Sequence, residues 1–346
     1  MKFKNLGFLI LVCLIFCGCS QLLSCVTKTK QYSQTGVRIA SWNVQTFFDA
    51  VADGTEYAEF QSVSSKWTEE KYKTRVTRLC EVLVLLNCDV VILQEVEKET
   101  LAYDIANNLK FQTDPHKAYI YSCFAKENDG SIGNMILSRL PLNQMKLHQV
   151  SVNNKNIGEQ PQMRPIMEVS LFENETEHFC TLFVCHWKSK SSGVEESEVW
   201  RKFQEQVLAD RILENYTKRF LALGDFNKDI YEFEIFDNET NTTQDSLIET
   251  TKNVFQNTKP NVLLHGSKKS IGVFSPWLNS TCNGSYFYND SWEKIDHFFC
   301  GEQLQLTDFQ TVDYGPHVTE DGKPIRFVIY SGEGYSDHLP ITCRIK

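Results

Sequence analysis

The chain has 346 residues, 42% hydrophobic and 23% charged, a composition that excludes collagen, coiled coil and wholesale disorder. Its formal charge of −9 also excludes a protein that coats nucleic acid by bulk electrostatics, since such a coat needs a basic surface. Affinity for polyanions is then expected to be weak or to depend on bound cations.

The N-terminus reads as a leader: Lys2 and Lys4 precede an apolar run from Leu6 to Phe16, too short for a confident membrane span. Small residues and cysteines follow. Phe16-Cys17-Gly18-Cys19 and Leu22-Leu23-Ser24-Cys25 both resemble the lipobox of bacterial lipoproteins, so Cys19 or Cys25 is the expected lipidation site. Export is therefore expected, as a membrane-anchored lipoprotein (periplasmic or at the cell surface) or, alternatively, as a secreted protein. Residues 1–25 form this leader, 26–36 a polar tether and 37–346 the folded domain. No protein partner is inferable. Eight of the 12 cysteines lie beyond the leader, without the close pairing of a zinc site. An oxidising compartment would permit a bridge such as Cys282 to Cys300, which sequence leaves open.

The alternating run from Val37 predicts a strand, and residues 49–66 read mostly as loop. Thr68 with Glu69 and Glu70 is a helix start, and Tyr72, Val76, Leu79, Leu83 and Leu86 give that helix an apolar stripe. A strand from Asp89 runs to Gln94-Glu95, followed by a helix over Glu99 to Leu109. Further strands are predicted at 134–138, 166–172, 179–185, 220–223, 295–299 and 339–345. A helix over 197–213 carries Trp200, Phe203 and Val207 on one side, and 232–262 reads as an irregular excursion. Strands and helices mixed without strict alternation point to two sheets packed face to face with helices outside.

Four apolar strands end abruptly in polar residues: at Asn43, at Gln94-Glu95, at His186-Trp187-Lys188 and at Asp225-Phe226-Asn227. A single polar residue at a strand end is ordinarily a turn residue, but rigid strand ends are also where sites are assembled. Phosphodiester hydrolysis explains the residue types. A hard cation on carboxylate and amide oxygens neutralises the phosphate, a base activates water, and donors hold the transition state.

The ordered motifs Trp42-Asn43, Gln94-Glu95, His186-Trp187-Lys188-Ser189-Lys190, Gly224-Asp225-Phe226-Asn227, Lys294-Ile295-Asp296 and Ser336-Asp337-His338-Leu339-Pro340 resemble the endonuclease/exonuclease/phosphatase family. That resemblance implies an α/β fold, a deoxyribonuclease I-like four-layer sandwich of two mixed β-sheets flanked by helices. It implies metal binding by Asn43, Glu95 and Asp337, and catalysis by His186, Asp225, Asn227, Asp296 and His338. Arg164, Asn134 and Lys188 would contact the substrate phosphate. Mg²⁺ is the implied ion, with Mn²⁺ or Ca²⁺ as substitutes. The histidine at 186 is similar to that of deoxyribonuclease I and secreted bacterial nucleases, so an extracellular nuclease acting on DNA or RNA is expected. The alternatives are a sphingomyelinase-like or other phosphoesterase of the same fold and a non-enzymatic surface lipoprotein. His116, His148, His178, His265, His297 and His317 carry no motif, and His297 is expected to point away from Asp296 along the strand.

Overall fold

The computed structural model describes residues 32–110, 114, 117–152, 158–215, 219–235 and 259–346; Cys19, Cys25 and the rest of the leader lie outside them. The elements in chain order are α1 (Tyr32–Thr35), β1 (Val37–Phe47), α2 (Ala58–Gln61), α3 (Glu69–Leu86), β2 (Val90–Val96) and α4 (Thr100–Leu109). Next come β3 (Tyr121–Ala125), β4 (Gly133–Ser138), β5 (Leu142–His148), β6 (Ile166–Phe172), β7 (His178–His186), α5 (Val194–Glu214), β8 (Phe220–Asp225) and β9 (Glu234–Ile235). The C-terminal part holds β10 (Val262–His265), β11 (Ser270–Val273), β12 (Tyr286–Tyr288), β13 (Ser291–Glu293), β14 (Asp296–Cys300), β15 (Leu306–Thr311) and β16 (Ile341–Ile345).

Two sheets dominate. One has six strands in the order β15-β16-β1-β2-β4-β3, the other five in the order β14-β8-β7-β6-β5. Both are mixed: β1 runs parallel to β2, and β7 parallel to β8, while their other neighbours are antiparallel. Alternation along the central strands explains the layering. Val37, Ile39, Val90 and Ile92 pack in one core with Leu182, Val184, Leu221 and Leu223 of the second sheet. Ala40, Trp42, Val91 and Leu93 pack in a second core with Val76, Leu79 and Leu83 of α3 and Leu101 and Ile105 of α4. Each such fully buried aliphatic or aromatic side chain contributes about 1.5–3 kcal/mol. The expected α/β sandwich of mixed sheets and flanking helices is what the chain adopts.

Helix α3 begins where its cap predicts: Thr68 Oγ1 accepts from the Lys71 amide at 3.3 Å, and the helix ends on left-handed Asn87. Helix α5 starts three residues earlier than expected, after Gly193. Its Trp200, Phe203 and Val207 cover Val150 and Met163, while Leu208, Ala209 and Ile212 enter the main core.

Several elements escape the sequence reading. A short helix and a 3₁₀ turn interrupt residues 49–66. Strand β5 shows no clean alternation, because most of it is exposed and its pairing slips between Asn143 and Lys146. The last strand starts at Ile341 rather than at 339. Most of the excursion over 232–262 lies outside the described residues. Cys282 and Cys300 are both free thiols, as are the other cysteines among the described residues, so the bridge left open does not form.

Candidate active site

Two rows of polar side chains face each other where the sheets end. In the six-stranded sheet, Asn43, Gln94 and Asn134 stand in register on β1, β2 and β4. Registered residues share a face, and this one continues the inward face of Ile39 and Ile92. Glu95 would point outward by alternation. It does not, because β2 bulges there: Gln94 pairs with Asn134 and Val96 with Gly133, leaving Glu95 as the extra residue at φ 64°. A left-handed glutamate costs about 1–3 kcal/mol and persists only where its surroundings over-determine it. Here Glu95 Oε1 accepts from Asn43 Nδ2 at 3.1 Å and Oε2 from the Thr46 amide at 2.5 Å.

The Thr46 amide is available because β1 also breaks its pairing after Asn43, with Gln45 and Thr46 at φ 52° and 48°. Beneath this kink lies Arg75, only 1% exposed. Its guanidinium donates to the carbonyls of Val44 and Thr46 at 2.9 Å and to that of Gln45, between the rings of Phe47 and Phe327. Arg75 was not among the expected site residues. The available signal was an arginine on the apolar stripe of α3, between Tyr72 and Val76.

The second row lies in the five-stranded sheet, where His186, Asp225 and Asp296 are register partners on β7, β8 and β14. Gly224 permits the close approach of β8 to β7. Its φ is +135°, and a Cβ there would lie 1.9 Å from the Cys185 carbonyl oxygen. Asp225 Oδ1 accepts from the Asn227 amide at 2.8 Å, in a turn that puts Asn227 at φ 47°, and Oδ2 accepts from Asn43 Nδ2 at 3.0 Å. That last bond joins the two rows. His186 Nε2 lies 3.6 Å from Asp225 Oδ2 and 3.9 Å from Glu95 Oε1.

His338 arrives from the loop before β16. Ser336 Oγ donates to the Asn43 carbonyl at 2.6 Å and accepts from the His338 amide at 3.1 Å, and Trp42 Nε1 donates to the His338 carbonyl at 2.9 Å. Its Nδ1 meets Asp296 Oδ2 at 2.8 Å, which leaves Nε2 for the cleft. Asp225, Asp296 and His338 bring candidate ligand atoms within 4.8 Å of one another. His297, the next residue on β14, points away and bonds the Lys228 carbonyl at 2.8 Å, as alternation predicts.

The electrostatics separate the two histidines. Burial works against a charged His338, but the Asp296 carboxylate outweighs it, with help from Asp225 and Asp337, and lifts the imidazole to about 10. Burial, together with the positive charges of Arg164 and His338, holds His186 well below its ordinary value. Near neutrality His338 is a cation and His186 is neutral. Burial raises the Asp225 carboxyl above the usual carboxylate range, Asp296 adding to the rise while His338 and the bonds from Asn227 and Asn43 oppose it.

The remaining expected residues stand in different surroundings. Arg164 donates from Nε to the His186 carbonyl at 3.2 Å and from a terminal nitrogen to the Trp187 carbonyl at 2.6 Å, so it clamps the end of β7 while sensing the charges of Glu95 and Asp225. Asn134 is 1% exposed and its Oδ1 has no partner. Lys188 is half-buried, and its ammonium is disfavoured first by burial and then by Arg164 and Arg201. Asp337 is one-fifth exposed, 3.9 Å from Arg326 Nε, and its charge is felt by His338 and Tyr286. The Glu95 and Asp337 carboxylates are hard oxygen donors of the kind that suits Mg²⁺, Mn²⁺ or Ca²⁺, whereas Asn43 turns its Nδ2 to Glu95 and Asp225 and its Oδ1 accepts from the Gln45 amide at 2.9 Å, so its oxygen would reach a metal only with the amide turned over. A second acidic group, Asp53, Glu56 and Glu97, is already threaded by the Lys98 ammonium, 3.2 Å from Asp53 and 3.3 Å from Glu97.

Residues 40–338 match the model of the Endonuclease/Exonuclease/phosphatase family. No curated protein sequence matches the chain. Among solved structures it is similar to truncated TDP2 of Caenorhabditis elegans, at 14% identity and a TM-score of 0.52 over 90% of this chain and 98% of that one. It is likewise similar to an endonuclease/exonuclease/phosphatase from Beutenbergia cavernae, at 14% identity and a TM-score of 0.52 over 90% of this chain and 71% of that one. The protein of that family from Bacteroides vulgatus gives 14% identity and a TM-score of 0.50 over 90% and 98%. At such identity these likenesses speak to fold alone. The family match across nearly the whole described domain goes further: the chain belongs to the endonuclease/exonuclease/phosphatase family, whose members are typically phosphoesterases that use divalent metal ions.

Proposed function

We propose that this protein is an exported, lipid-anchored, Mg²⁺-dependent phosphodiesterase that cleaves DNA or RNA. The observation that carries the hydrolytic reading is the Asp296–His338 pair at 2.8 Å, placed beside Asp225 and across from Glu95 and Asn43. A non-enzymatic binding surface would need none of this convergence.

Each group has work suited to its state. A metal held by Glu95 and Asp337, joined by Asn43 with its amide oxygen turned toward Glu95, would neutralise the phosphate and stabilise the leaving oxygen. Asp225, raised above the usual carboxylate range and anchored through both oxygens, orients the attacking water and accepts its proton. His338, cationic and fixed by Asp296, donates from Nε2 to a phosphoryl oxygen as negative charge develops. Neutral His186 and the Asn227 side chain hold the phosphate from the β7 and β8 ends. Arg164 and Lys188 add positive potential, and the unpartnered Asn134 Oδ1 is an acceptor for water or substrate at the floor.

Nucleic acid is preferred over lipid because the His186-Trp187-Lys188-Ser189-Lys190 string resembles secreted nucleases. The anchor rests on the leader, with Cys19 or Cys25 as acceptor; among the described residues no helix is long and apolar enough to cross a membrane. The test is cleavage of plasmid DNA, single-stranded RNA and sphingomyelin by the full-length protein, with Mg²⁺ or excess EDTA. EDTA-sensitive cutting of nucleic acid is expected. Turnover of sphingomyelin alone would move the enzyme to the lipid branch, and silence on all three would end the phosphodiesterase reading.

A further inference from the structure

Beside His338 stands a structure that the catalytic chemistry does not use. Strands β12 and β13 form a hairpin closed by Asn289-Asp290, both left-handed at φ 47° and 58°, the backbone of a tight two-residue turn. Alternation sends Phe287 to one face, where Trp292 packs at 5.1 Å and the Lys323 ammonium sits 4.5 Å from its ring. Tyr286 and Tyr288 take the other face. Tyr286 bridges the backbone of His338, and its ring lies 4.7 Å from the imidazole. Tyr288 continues outward, nearly parallel to Tyr286 at 17° and 6.1 Å, and is 52% exposed. The result is a pavement of rings stacked one behind the next from His338 to solvent, ending on the exposed Tyr288, with the exposed Arg326 near Asp337 at its side.

We infer that this pavement is a nucleobase subsite: a base flanking the scissile phosphate stacks on Tyr288, so the enzyme favours unpaired strands whose bases are free to turn onto it. The inference rests on the nucleic-acid reading above. Stacking on aromatic rings is the sequence-tolerant way to hold single strands, and nearby cations serve the adjoining phosphates. A lipid surface fits less well. The tip of the hairpin is Asn289-Asp290, polar and acidic, and the aromatic on its opposite face is already covered.

The experiment uses the full-length protein with Mg²⁺, a single-stranded oligonucleotide, and an all-abasic strand of the same length and backbone. The wild type should cleave the base-bearing strand at the lower KM. Tyr288→Ala should raise that KM roughly 10- to 100-fold while leaving the KM for the abasic strand in place, and Tyr288→Phe should restore it. An equal KM change on both strands, or none on either, overturns the subsite while leaving the nuclease intact. Failure of the wild type to cut any strand overturns the subsite together with the nucleic-acid reading. Loss of binding to sphingomyelin vesicles in Tyr288→Ala, with oligonucleotide KM unmoved, would make the hairpin a membrane contact and overturn it too.

Discussion

Asp296 and His338 meet at 2.8 Å although 42 residues separate them, and each is pinned by a different part of the fold. Asp296 is the register partner of Asp225, while His338 hangs from Trp42 and, through Ser336, from Asn43. The carboxylate fixes both the charge and the orientation of the imidazole. Asp296→Asn keeps the shape and removes the charge. We expect kcat to fall by about 10²- to 10⁴-fold, as for other histidines deprived of their carboxylate. Steady-state kinetics on a small phosphodiester, with circular dichroism to confirm the fold, checks this.

Arg75 touches no expected catalytic residue, yet its guanidinium gathers the carbonyls of Val44, Gln45 and Thr46 and so holds the kink that offers the Thr46 amide to Glu95. It acts as a positioning residue. Lysine keeps the charge but cannot reproduce the fork. Arg75→Lys should raise the Mg²⁺ concentration for half-maximal activity by roughly 10- to 100-fold. At saturating Mg²⁺ kcat should recover most of its value, a split that a general loss of stability would not give.

His297 supplies a pH dependence of stability. Burial among Phe226, Phe233 and Phe299 lowers its pKa to about 4 against an ordinary 6.5. Between those values the unfolded chain binds a proton that the folded chain does not. Stability is then full above 6.5 and is lost as pH falls toward 4, by on the order of 3 kcal/mol from this group. Urea unfolding at several pH values should show that slope, and His297→Gln should flatten it.

Gly224 is a packing requirement of β8. Gly224→Ala would set a Cβ against the Cys185 carbonyl in a backbone region that L residues avoid. A loss of about 3 kcal/mol or more is expected, read from the urea midpoint.

Much of this site was legible in the sequence because polar residues closing apolar strands are a local signal: Asn43, Glu95, His186 and Asp225 each end such a run. What brings them together was not. Register across β1, β2 and β4 depends on partners far apart in the chain, and the bulge that turns Glu95 inward breaks the alternation that sequence reading relies on. Arg75 hid within an apolar stripe. The aromatics at 286–288 stand out in the sequence, but nothing local shows that their hairpin closes beside His338, about fifty residues further along the chain. Exposed β5 carried too few apolar residues to show a period.

The central claim is that the two facing rows form a metal-dependent phosphodiesterase. Its most direct test is the rate of bis(p-nitrophenyl) phosphate hydrolysis by the full-length protein across a Mg²⁺ titration from EDTA-treated enzyme, beside Glu95→Gln. Turnover should be absent in EDTA, rise with Mg²⁺, and in Glu95→Gln stay near background or need far more metal. Turnover that persists undiminished in EDTA, or a titration curve that Glu95→Gln leaves unmoved, would contradict it.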